Sequence, residues 1–104
     1  MTNTLKVLCI SGSLRKNSYN TAALRVARDS APGNMHIEFA DLSQIPLYDQ
    51  DQRDDAVPAA VRQLVEQVRA ADALLFATPE YNYSMSGVLK NAIDWVSREQ
   101  PQPI

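Results

Sequence analysis

The stretch Lys6-Val7-Leu8-Cys9-Ile10-Ser11-Gly12-Ser13-Leu14-Arg15-Lys16-Asn17-Ser18-Tyr19-Asn20 carries the pattern from which the fold can be read. Residues 6–11 form an apolar run without alternation, as expected of a strand buried on both faces of a parallel sheet. The run opens into a polar loop, 11–20, in which Ser18 and Asn20 each bring a side chain able to cap the free N–H groups of a helix. Ala23, Leu24 and Ala27 then share one face of that helix, and Ala31-Pro32-Gly33-Asn34 stops it.

Outward from this unit the pattern repeats. Residues 36–41 alternate, with Ile37 and Phe39 on one side, and predict a second strand. A long loop through Pro46, Tyr48 and Asp49 follows. Pro58 fits the first turn of a second helix, whose Val61, Leu64, Val65 and Val68 make one apolar stripe. Residues 73–77 are a third unalternating apolar run, which feeds Thr78-Pro79-Glu80-Tyr81-Asn82-Tyr83-Ser84. A third helix starts near Gly87, buries Val88, Leu89, Ala92, Ile93 and Val96, and ends before Pro101 and Pro103. Strand and helix alternate three times, which predicts an α/β fold with a doubly wound parallel sheet in three α/β/α layers. In such sheets ligands bind outside the carboxyl ends of the strands. The loops after the first and third strands leave those ends.

The 104 residues suit one domain, or a part of one, spanning 1–104. Hydrophobic residues at 45% and charged residues at 21% fit a globular chain rather than a disordered one. A net charge of −2 offers no basic field for nucleic acid or an anionic membrane, so an anion must be held by local groups. The apolar start is too short for a signal peptide or a membrane span, which suggests the cytoplasm. Cys9, inside the first strand, reads as a small buried hydrophobe. His36 opens the second strand with no carboxylate or second ligand expected beside it, and with one cysteine and one histidine no metal site is expected. The acidic segment 49–55 lacks the glycine and spacing of a calcium loop and reads as a solvated lead-in to the second helix. Trp95 reads as a large packing residue.

In the first loop, unpaired backbone N–H groups and the helix dipole attract an anion. The hydroxyls of Ser11, Ser13 and Ser18, the amide of Asn20 and the guanidinium of Arg15 would complete a phosphate site. The same residues also fit an ordinary capping turn. With glycine only at positions 12, 33 and 87, neither a G-x-G-x-x-G fingerprint nor a Walker A loop can be written here, and a monophosphate such as that of flavin mononucleotide suits the serines better. In the second loop, Pro79, Glu80, Tyr81, Asn82 and Tyr83 set rings, an amide and a carboxylate within five residues, a combination suited to a flat heteroaromatic ring. Packing or interface roles for Tyr81 and Tyr83 remain open at this point. A phosphoacceptor receiver domain would need acidic residues before and at the end of the first strand, where Lys6 and Cys9-Ile10-Ser11 stand.

Taken together, Ser11-Gly12-Ser13-Leu14-Arg15 with Ser18 and Asn20, Ile45-Pro46-Leu47-Tyr48-Asp49, and Pro79-Glu80-Tyr81-Asn82-Tyr83 with Gly87 and Leu89-Lys90-Asn91-Ala92-Ile93-Asp94-Trp95 resemble the NADPH-dependent FMN reductases. The likeness is greatest to bacterial chromate and quinone reductases. It implies a flavodoxin-like fold, FMN as cofactor and NADPH or NADH as hydride donor. It further implies quinones, chromate or azo compounds as small-molecule acceptors, and a homodimer or homotetramer. By position, Ser13, Arg15, Ser18 and Asn20 look like FMN phosphate ligands, and Pro79, Glu80, Tyr81 and Asn82 look like residues along the flavin ring. Tyr83 and loop 46–49 look like subunit contacts. No side chain is expected to act as acid or base, because the cofactor carries the hydride chemistry. A flavodoxin-type electron carrier, and a non-catalytic fragment that self-associates, are the competing expectations. The resemblance also implies two further strands that these residues do not contain. The third strand is then expected to be an edge, and the 104 residues alone to be unstable or to aggregate.

Overall fold

The computed structural model describes residues 4–14, 18–79, 85–99, 101 and 103. Residues Leu5–Ser11 form β1, the middle strand of a parallel sheet. On one side it pairs with β2, Met35–Phe39, in the register Leu5↔Met35 to Cys9↔Phe39. On the other it pairs with β3, Ala73–Ala77, in the register Val7↔Ala73 to Ser11↔Ala77. The order β2-β1-β3 follows from a first crossover that goes one way and a second that returns past the start. The carboxyl ends of β1 and β3 therefore lie side by side.

The helices are α1, Tyr19–Asp29; α2, Gln50–Asp55; α3, Ala59–Ala70; and α4, Gly87–Val96. Alternation along β1 sends Leu8 and Ile10 to one face, where they join Val61, Leu64, Val65 and Val68 of α3 and Leu89, Ala92, Trp95 and Val96 of α4 in the core. The α3 stripe is buried at all four positions, each worth about 1.5–3 kcal/mol relative to exposure. Cys9 points to the opposite face, towards α1, whose Leu24 is buried. The layered α/β/α arrangement expected from the sequence is thus present. β3 has a strand on one side only among the described residues, and Leu75 and Phe76, on its two faces, are 39% and 43% exposed.

The structure differs from the sequence reading in three places. The segment before α3 is a helix in its own right, α2, started by the Asp49 carboxylate, which accepts from the N–H groups of Asp51 and Gln52. All six residues of α2 are polar, so no hydrophobic period announces it. Pro58 sits one position earlier than expected, at the N-cap of α3, where its extended ψ of 146° precedes the helix. His36 does have a carboxylate beside it: Glu38, two residues along the same strand face, brings Oε1 to 3.5 Å from Nε2 in an exposed pair.

Burial pushes the Cys9 thiol pKa up, an effect partly offset by the nearby Arg28 charge. With the side chain 1% exposed, Cys9 is expected to resist a thiol-specific disulfide reagent at neutral pH and to react fully once guanidinium unfolds the chain. Rapid labelling of the native protein would show that β1 is not the sheet's buried centre.

Candidate functional site

Where β1 ends, three hydroxyls organise the first loop. Ser11 Oγ accepts from the Ser13 N–H at 3.3 Å and from Thr21 Oγ1 at 2.9 Å, tying the loop's start to the first turn of α1. Ser18, 5% exposed, is the N-cap of α1, and its Oγ accepts from the N–H groups of Asn20 and Thr21 at 3.1 and 3.3 Å. Both bonds use the Ser18 oxygen as acceptor. No acidic residue occupies the first turn of α1, so the positive end of that helix is not neutralised by its own sequence. The structure brings together Ser11, Ser13, Ser18 and Asn20. Arg15 lies outside the described residues.

The second loop starts one strand away. Gly12 N–H donates to the Ala77 carbonyl at 2.7 Å, extending the β1–β3 ladder one step into the loops. Ser86, 2% exposed, donates its hydroxyl to the Gly12 carbonyl at 2.6 Å. The same oxygen accepts from Leu89 N–H at 3.2 Å, capping α4. Ser86 N–H in turn donates to Thr78 Oγ1 at 3.3 Å. The contact is close enough to demand glycine: a Cβ at position 12 would lie 2.4 Å from Thr78 Oγ1 and 2.7 Å from both Ser86 Oγ and Thr78 Cβ. Space, not a left-handed backbone, sets that requirement. Pro79 sits at the start of this loop and its carbonyl accepts from Thr78 Oγ1 at 3.1 Å. Glu80, Tyr81, Asn82 and Tyr83 lie outside the described residues.

A third segment, 46–48, is clamped along α4. Asn91 Oδ1 accepts from Tyr48 N–H, while Asn91 Nδ2 and the Trp95 indole N–H both donate to the Pro46 carbonyl, each at 2.8 Å. Tyr48 meets Trp95 edge-on at 5.0 Å between centroids. Nearby, the Ser43 hydroxyl and N–H both donate to Asp41 and hold its carboxyl below the usual carboxylate range.

Sequence reasoning missed Thr21, Thr78, Ser86 and Asn91. Ser86 carried a readable signal, a serine directly before an apolar helix. Thr21, Thr78 and Asn91 act through contacts across the fold that spacing does not reveal. Among the described residues no group of His, Cys, Asp and Glu forms a metal site, and no helix is long and apolar enough to cross a membrane.

Residues 5–104 match the family described as NADPH-dependent FMN reductase. An NAD(P)H-dependent FMN reductase of Pseudomonas aeruginosa is 62% identical over 103 residues, covering 99% of this chain and 56% of its own. A quinone reductase of Escherichia coli is 46% identical over 106 residues, covering 100% of this chain and 56% of its own. Among solved structures, the flavoenzyme NAD(P)H:(acceptor) oxidoreductase FerB of Paracoccus denitrificans superposes with a TM-score of 0.87 at 37% identity, over 96% of this chain and 54% of that one. The chain spans about half the length of the curated relatives it matches.

Proposed function

The chain belongs to the NADPH-dependent FMN reductase family, and from that premise we propose that it holds FMN across its first and second loops and serves NAD(P)H-dependent reduction of a small-molecule acceptor. Quinones are the acceptor class that the relatives' names favour, with chromate and azo compounds as further candidates. One observation carries this reading: Gly12 joins the two loops at van der Waals and hydrogen-bond distance, so a phosphate in one and a planar ring along the other lie within a single ligand's reach.

The residues present fit such a ligand. The first turn of α1 offers an unneutralised helix start, the Ser18 hydroxyl and the Asn20 amide, to which Ser13 and the cation of Arg15 add further donors. A side chain at position 12 would collide with Thr78 and Ser86, so glycine lets the starts of the two loops close on each other. Pro79, Glu80, Tyr81, Asn82 and Tyr83 would border the ring. Bound flavin supplies two-electron chemistry between a nicotinamide and an acceptor. The chain's own part is then to grip the phosphate, orient the ring and shield one side of it, with no side chain required as acid or base.

Loop 46–49 and Tyr83 are assigned to contacts between subunits of a homodimer or homotetramer, and the cytoplasm is the assigned compartment. The clamp of residues 46–48 on α4 supports a preshaped surface there. The purified protein is expected to oxidise NADPH or NADH with a quinone in a reaction that stops when FMN is removed and resumes when it is restored. Flavin binding without NAD(P)H oxidation would instead favour an electron carrier.

A further inference from the structure

Thr78 is the first residue beyond β3, and its hydroxyl is used twice. It donates to the Pro79 carbonyl at 3.1 Å and accepts from the Ser86 N–H at 3.3 Å. A hydroxyl has one proton to give and lone pairs to receive, so the two bonds do not compete. Pro79 is where the chain leaves β3, and Ser86 is where it enters α4 as the N-cap, eight residues after Thr78. Among the described residues no backbone–backbone hydrogen bond joins 77–79 to 85–86, so the link between these two ends falls to the Thr78 side chain. The link is itself seated: Ser86 is 2% exposed and bonded to the Gly12 carbonyl and to Leu89 N–H, and Thr78 Oγ1 lies so near Gly12 that a Cβ there would come within 2.4 Å of it.

We propose that Thr78 is a positioning residue for the ring side of the site: by holding the Pro79 carbonyl and the Ser86 N–H together, its hydroxyl fixes the direction in which the second loop leaves β3 and the place to which it returns. This rests on the reading of that loop as the border of the flavin ring. Thr78 needs no contact with the ligand. Without the tie the two ends are freer to part, and the entropy of ordering them is charged to ligand binding instead of to folding. The first loop is tied separately, through Ser11, Ser18 and Thr21, so the loss falls on the ring and not on the phosphate.

Thr78→Val keeps the shape and the β-branch and removes both hydrogen bonds, whereas Thr78→Ser keeps the hydroxyl. FMN and riboflavin, which differ only in the phosphate, are titrated by flavin fluorescence into the flavin-free protein and each variant, and the visible circular dichroism of the bound ring and the melting temperature are recorded alongside. Thr78→Val is expected to weaken both flavins about fivefold, the scale of one lost hydrogen bond, leaving the ratio of their affinities unchanged and altering the dichroism of the bound ring. Thr78→Ser should restore both readouts. Parent-like affinities and dichroism in Thr78→Val would overturn the proposal and leave Thr78 a purely structural link, even with a lowered melting temperature. Weakening confined to FMN would overturn it too, since the residue would then act on the phosphate side. Should Thr78→Val fail to fold, Thr78→Ala against Thr78→Ser decides by the same readouts. A parent protein that binds neither flavin refutes the flavin site itself, and that control is distinct from a parent that binds both and a Thr78→Val variant that matches it.

Discussion

Replacing Trp95 with alanine is expected to destabilise the chain by about 3–5 kcal/mol, the range for emptying a large buried aromatic site. Trp95 is the largest fully buried side chain among the described residues, at 0% exposure, and packs among Leu8, Ile10 and the α3 stripe. Its removal also strips one donor from the Pro46 carbonyl and the edge-on partner from Tyr48, so loop 46–48 loosens with the core. Against the total stability of about 5–15 kcal/mol usual for a native domain, that loss is a large fraction. Trp95→Phe, which keeps most of the apolar area and loses the indole N–H, should cost distinctly less. Denaturant titration measures both, read as a shift in midpoint at constant slope. A loss below about 1 kcal/mol for Trp95→Ala, within the range of surface substitutions, would mean that α4 does not pack as described.

Gly12→Ala is the second large effect, and it couples stability to ligand. The added methyl would enter space already filled by Thr78 Oγ1, Thr78 Cβ and Ser86 Oγ. These atoms belong to short side chains anchored close to the backbone, so relief requires β1 and β3 to part at their carboxyl ends. Overpacking of this kind costs about 1–3 kcal/mol, and it breaks the Gly12–Ala77 and Ser86–Gly12 bonds. FMN affinity is therefore expected to fall by about tenfold or more, because the two loops proposed to hold its phosphate and its ring are pushed apart. Thermal melting and FMN titration of the same sample measure both quantities. A variant that melts and binds like the parent would show the loops to be farther apart than the structure places them.

The fold was legible where the chain commits long runs to one environment. Residues 73–77 read as a strand from an apolar run without polar alternation, although among the described residues that strand stands at the sheet's edge with Leu75 and Phe76 partly exposed, and Val61, Leu64, Val65 and Val68 read as a helix face because nothing but a helix brings those spacings together. The segment 50–55 defeated the same reasoning. Its helix is entirely polar, and a single capping carboxylate on Asp49 decides it locally. His36 was read in isolation, although period-two geometry already placed Glu38 beside it.

The site was legible to the level of loops and not of contacts. Ser11, Ser13, Ser18 and Asn20 could be singled out from a hydroxyl-rich turn between a strand and a helix start, a pattern that an ordinary capping turn shares. The link between Gly12, Thr78 and Ser86 could not, since it joins residues 66 to 74 apart and depends on the register Ser11↔Ala77. Asn91 is the same case on a smaller scale: an amide on a helix face looks solvated until the loop it clamps is in view.

A crystal structure of the protein with FMN tests the central claim most directly. The phosphate is expected in the turn between β1 and α1, with backbone N–H groups and the Ser18 hydroxyl at about 2.7–3.2 Å from its oxygens, and the flavin ring directed from there towards the loop that follows Thr78. A phosphate found away from that turn, or a ring pointing to the β2 side of the sheet, would contradict it.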